Sequence, residues 1–265
     1  MTSLPIRSAC AALLTCVMSV PQAAVTLPSG DSFQDGTLEF LYAANGSARI
    51  DPALYVDSNE LFGPGALGEV YATPTGAEFA TGLVFDYAFS GIGTDTMTIT
   101  YGITNETGLT WTGLRFLADV SGDPFDSLLE LASVRGAPLT PADPVAWGID
   151  DFDTGNLYIN DILGAGQLDN SDGCGGVACA AEGALQWNLE QLADGQRWVI
   201  TVQLSDAGLV GSQRWLEFAL DDGGPTGEVL SFSGQAMVVP LPAAAWLLLG
   251  GMPLLTVRRR AALAL

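Results

Sequence analysis

The sequence predicts an all-β protein built as an antiparallel sandwich, and three observations carry that expectation. Two segments alternate apolar and polar residues with the two-residue period of a strand. Short apolar runs recur between turns rich in Gly, Asn and Asp. Helical periodicity is scarce, and many short strands at regular spacing suit two packed sheets.

Taken in chain order, the first run is Thr37–Tyr42, followed by the turn pair Asn45-Gly46 and later by Gly63-Pro64-Gly65. Leu83–Phe89 comes next, closed by Gly91-Ile92-Gly93. Met97 to Ile103 alternates strictly, with Met97, Ile99, Tyr101 and Ile103 on one face and threonines on the other. Leu114–Val120 reads as a strand, and Ser127–Val134 is the best candidate for a short helix. Leu185–Leu189 precedes the turn Asp194-Gly195. Trp198 to Leu204 alternates again, with Trp198, Ile200, Val202 and Leu204 inward. Trp215–Leu220, the turn Asp222-Gly223-Gly224-Pro225 and Glu228–Phe232 complete the pattern.

Composition excludes much chemistry. The 265 residues include 30 acidic side chains, 9 basic ones that are all arginine, and no histidine. Without His or Lys there is no imidazole base or ligand, no Schiff-base lysine and no phosphate loop of the P-loop kind. A formal charge of −21 repels nucleic acid. No Gly-x-Ser-x-Gly elbow is present, and a serine triad is impossible without His. Carboxylate pairs abound, but with 30 acids their presence does not single out a glycosidase.

Both ends read as addresses. Residues 1–24 have the form of a secretory signal peptide: Arg7, an apolar run from Ser8 to Val20, the breaker Pro21, and small residues Ala23 and Ala24 at the expected cleavage site. At the other end Val238–Val257 carries no charge and Arg258, Arg259 and Arg260 follow at once. A helix of that length spans roughly 30 Å, enough for a bilayer core. The arginine cluster would hold its C-terminal edge in the cytoplasm and leave the acidic bulk outside. The expected division is therefore a signal peptide over 1–24, an ectodomain over 25–237 and a sorting signal over 238–265. All 30 acids lie between Asp31 and Glu228, where only five arginines accompany them, for a net charge of −25.

The tail runs Val239-Pro240-Leu241-Pro242-Ala243, then an apolar segment, then three arginines. It resembles the C-terminal sorting signal of PEP-CTERM proteins, in the variant whose signature reads Val-Pro-Leu-Pro-Ala. The resemblance implies export from a Gram-negative bacterium through an inner-membrane intermediate with a cytoplasmic C-terminus. It also implies an exosortase-like membrane protease-transpeptidase as partner, reading Val239–Ala243 and removing the helix and arginines, with the product at the cell surface or outside the cell. Within the ectodomain, Asn105-Glu-Thr-Gly108 followed by Trp111, and Gly155-Asn156 through Leu168-Asp169-Asn170, look like the β-sandwich ectodomains common in this sorted class.

Two constellations remain. Cys174 and Cys179 are the two cysteines left after signal removal, and in an oxidising envelope they are expected to close a six-residue disulfide ring. Asp119, Ser121, Asp123, Ser127 and Glu130 reproduce the 1-3-5-9-12 oxygen spacing of an EF-hand loop. Pro124 stands where that loop wants Gly, and a strand precedes it, so the spacing suits calcium held by a loop without helices. Asp150, Asp151 and Asp153 form a second acidic turn. No motif requires a cofactor; these turns suit either calcium or simple solvation as acidic turns on a secreted surface. The expected function is a non-enzymatic component of the cell surface or extracellular matrix, with extracellular polysaccharide as a further partner. The alternative is a carbohydrate-binding or calcium-dependent lectin-like module.

Overall fold

The computed structural model describes residues 38–42, 46–56, 59–62, 77–78, 83–91, 94, 96–122, 129–151, 166–177, 179–205, 214–220 and 229–240. These residues hold thirteen strands and no helix. The strands are β1 (Leu38–Tyr42), β2 (Gly46–Val56), β3 (Asn59–Phe62), β4 (Ala77–Glu78), β5 (Leu83–Ser90), β6 (Thr96–Asn105) and β7 (Trp111–Gly122). They continue with β8 (Leu129–Gly136), β9 (Ala146–Asp151), β10 (Ala181–Leu192), β11 (Gln196–Ser205), β12 (Arg214–Leu220) and β13 (Val229–Pro240).

They form two antiparallel sheets. Sheet A has the order β1-β2-β7-β10-β9, with β3 also paired to β2, and sheet B has the order β4-β5-β6-β11-β13-β12-β8. One apolar core lies between them and draws on both, with Ile50, Leu54, Phe116, Leu185 and Trp187 from sheet A facing Tyr101, Ile103, Trp198, Ile200 and Phe232 from sheet B. Phe116 is the aromatic hinge of this core. Its ring lies 5.1 Å from Tyr101, 6.3 Å from Trp187 and 6.4 Å edge-on from Trp198, within the range where ring pairs add to simple burial.

The two alternating segments behave as their period requires. Met97, Ile99, Tyr101 and Ile103 are buried, as are Trp198, Ile200, Val202 and Leu204, and the two strands pair side by side. The helix expected over Ser127–Val134 is corrected by the structure, because its described part belongs to β8. Ala132 and Val134 stand opposite Phe218 and Leu216 of β12, so the run covers the edge of sheet B. A short apolar run fits either period, and here the pairing partner decides.

One end of the sandwich carries the β6–β7 and β10–β11 crossings between sheets. Asn105, fully buried, donates from its side-chain amide to the carbonyls of Leu109 and Leu192 at 2.8 Å each. Its carbonyl accepts the Gly195 N–H at 2.8 Å, and Asp194 accepts the Gly108 N–H at 2.8 Å. The Asn105–Trp111 segment thus ties the two crossings together. On the outer face of sheet B, Arg197 reaches across Gly102 to form a two-pronged ion pair with Asp86. A Cβ at position 102 would sit 2.1 Å from the guanidinium, so this pair needs glycine there.

Candidate functional site

The outer face of sheet A brings two of the expected residues, Asp119 and Ser121, together with residues that spacing did not mark. Its odd-numbered β2 positions point away from the core, and cross-strand register carries the pattern over to β7 and β10. Asp51 stands opposite Asp119, Ser121 stands opposite both Arg49 and Glu182, and Glu182 stands opposite Asp150. Asp51, Asp119, Ser121 and Glu182 are all buried. Arg49 is 44% exposed; its Nε donates to Ser121 at 3.2 Å and lies 2.8 Å from Asp51 in an ion pair.

Three buried carboxyls beside one rim arginine cannot all stay ionised at ordinary cost. Among the described residues no N–H donor reaches either oxygen of Asp119. Burial pushes its carboxyl well above the usual range, followed by the charge of Glu182, a hydrogen bond to Glu182 and the charge of Asp51, while Arg49 pulls the other way. Burial and the neighbouring Glu182 charge together favour the protonated form of Asp119. Both side chains are sealed from solvent.

A strap covers the neighbouring part of the same face. Asn170 donates to the Trp147 carbonyl at 2.9 Å, Ile149 to the Ser171 carbonyl at 3.0 Å, and Gly173 to the Ile149 carbonyl at 2.7 Å. Residue Asp172 thereby bridges Ile149 in parallel fashion. Leu168 is buried with Ala53, Tyr55, Leu117, Ala146 and Ala184. The Cys174–Cys179 disulfide is formed, with Cα atoms 5.9 Å apart, and it closes the strap just before β10. Asp169 and Asp172 accept the N–H groups of Ser171 and Gly175 at 2.9 and 3.0 Å, so these acids serve as turn acceptors.

The expected calcium residues are distributed over several elements. Asp119 and Ser121 lie within β7, in the carboxyl cluster. Glu130 lies in β8 of the other sheet, while Asp123 and Asp153 lie outside the described residues. Asp150 and Asp151 lie in β9, where Asp150 Oδ1 accepts the Asp151 N–H at 2.9 Å. Among the described residues no three His, Cys, Asp or Glu side chains converge in a metal-holding arrangement. Asp51, Glu182 and Arg49 were not singled out by spacing; only strand register brings them to Asp119.

Of the sorting motif, Val239 and Pro240 form the end of β13, opposite Arg197 and Gln196. Leu241, Pro242, Ala243, the apolar tail, Arg258, Arg259 and Arg260, like Ala23 and Ala24, lie outside the described residues. Among the described residues no helix is long and apolar enough to cross a membrane. No family model matches the chain, and no curated protein matches it.

Proposed function

We propose that this protein is an exported, non-enzymatic component of the cell surface or extracellular matrix, sorted and C-terminally processed by an exosortase-like enzyme. The observation that carries the reading is the tail, in which Val239–Ala243, an uncharged segment to Val257 and three arginines follow in order. Two features of the ectodomain support it. The disulfide ring suits an oxidising compartment, and a rigid all-β body with −25 charges suits a hydrated surface layer.

The test is expression in two otherwise identical Gram-negative hosts, with and without an exosortase. Intact-mass measurement is expected to find a chain beginning near Val25 in both, and loss of the segment after the motif only where the enzyme is present. Replacing Arg258, Arg259 and Arg260 by alanine should impair that loss. A chain retaining Met1, or a tail of equal mass in the two hosts, overturns the reading. The second reading, carbohydrate binding, is favoured by a polar groove on the outer face of sheet A.

A further inference from the structure

That groove lies on the same face as the strap but beyond the carboxyl cluster, and its volume is about 610 Å³, within the usual range of small-ligand sites. Arg115 of β7 and Asn188 of β10 stand opposite each other across its floor. Gly113 and Glu190 extend the floor and Gln167 of the strap forms a wall. Gly113 holds φ at 70°, a left-handed conformation that favours glycine, and it leaves the floor bare at that point.

The polar groups here are incompletely committed. Arg115 gives Nη1 to the Gln167 side-chain oxygen at 3.1 Å, while its Nε is buried and has no acceptor among the described residues. The buried Nε is out of a ligand's reach, so it is the outer guanidinium edge of Arg115 that can meet an acceptor in the groove. The Asn188 oxygen accepts Gln186 Nε2 at 2.7 Å, which leaves its N–H groups to donate. Glu190 offers acceptors only, Arg115 donors only, and the two amides offer both.

Alternating donors and acceptors suit a ligand whose groups do both, which describes hydroxyls. The charges of Arg115 and Glu190 cancel locally, whereas the surrounding domain is strongly anionic, so a polyanion is disfavoured. We propose that this groove binds a neutral, hydroxyl-rich glycan, with Arg115, Asn188, Gln167 and Glu190 as its hydrogen-bonding residues. The inference rests on the carbohydrate-binding reading and is independent of sorting.

The test is affinity electrophoresis of the exported full chain in native gels containing dextran, a soluble mixed-linkage β-glucan, galactomannan or alginate. Retardation by at least one neutral polymer and none by alginate is expected. Asn188 and Gln167 are exposed, so N188A and Q167A spare the fold, and each should weaken retardation roughly tenfold, the effect of about 1.4 kcal/mol. R115Q should abolish it, and R135Q, on sheet B, should leave it unchanged. No retardation by any of the four polymers overturns both the groove and the carbohydrate-binding reading. Retardation that N188A and Q167A leave intact keeps that reading and overturns the groove. Retardation by alginate alone overturns the neutral class.

Discussion

Strand β11 of sheet B and the first half of β6, up to Thr100, bury one face, whereas β7 and β10 of sheet A bury both faces over most of their length. In β6 the threonines Thr98 and Thr100 remain partly exposed between buried Met97, Ile99 and Tyr101. In β10 every residue from Ala181 to Trp187 is buried, Glu182 and Gln186 included. A one-sided strand shows its inward residues by alternation. A two-sided strand hides its second interior among residues that look like an ordinary polar face, and sheet A keeps its unusual chemistry there.

The largest effect is expected from truncating a side chain between the sheets. Phe116→Ala removes the ring that touches Tyr101, Trp187 and Trp198. It should cost about 3–5 kcal/mol, read as a lowered urea midpoint. Thr100→Ala, on the outer face of sheet B, should fall within about 0.5 kcal/mol. Equal losses would mean that sheet B's outer face is as consequential as the core.

The strap tests what covers sheet A's second interior. Replacing Cys174 and Cys179 together by alanine removes a six-residue ring, worth roughly 2 kcal/mol by loop-closure entropy. Hydrogen exchange should rise first at Ile149 and Gly173, whose N–H groups hold the strap to β9. Unchanged exchange there would show that Leu168 and the β9 bonds suffice.

Asp119 tests the interior itself, and the sign is fixed by its raised carboxyl. The folded state holds a proton that the unfolded chain releases near pH 4. This term therefore stabilises most below that pH and is lost as pH rises towards the raised folded value. Asp119→Asn keeps the shape without the charge, and its amide can donate to Glu182. It should gain about 1–2 kcal/mol at pH 8, little at pH 5, and flatten the profile between them. A loss at pH 8 equal to that at pH 5 would mean that the Asp119 carboxyl is not raised in the folded state.

Much of the sandwich was legible because sheet B obeys one rule: β5, β6, β11 and β12 appear in the sequence nearly where they fold. Strand β2 was not legible, since Arg49, Asp51 and Pro52 interrupt its apolar residues. Its outer face buries charge, and Pro52 lies between the end of β1 pairing at Ile50 and the start of β3 pairing at Leu54, where a missing N–H is tolerated. The candidate site was half legible. Asp119 and Ser121 were found through loop spacing, yet both stand in a strand, and their actual neighbours lie about 60 to 70 residues away in sequence. Arg115 carried no local signal, since its role depends on Asn188 and Gln167 arriving from β10 and the strap.

The smallest effect, and the one with the opposite pH sign, lies on the outer face of sheet B. Glu217 of β12 meets Arg135 of β8 at 2.5 Å and accepts Trp215 Nε1 at 3.2 Å. Partial burial works to raise its carboxyl, but the hydrogen bonds from Arg135 and Trp215 and the arginine's charge outweigh burial and hold it below the usual value. Its contribution is therefore present above the unfolded value near pH 4.3 and lost as pH falls through the lower folded one. Arg135 is 53% exposed, so water and salt screen the pair, and Arg135→Gln should cost only about 0.5 kcal/mol at pH 7. That loss should shrink at pH 3 and in 0.5 M salt, whereas the Asp119→Asn gain, arising in a sealed interior, should hardly respond to salt. Equal salt sensitivity of the two variants would erase the distinction between sheet A's inner carboxyls and sheet B's surface pair.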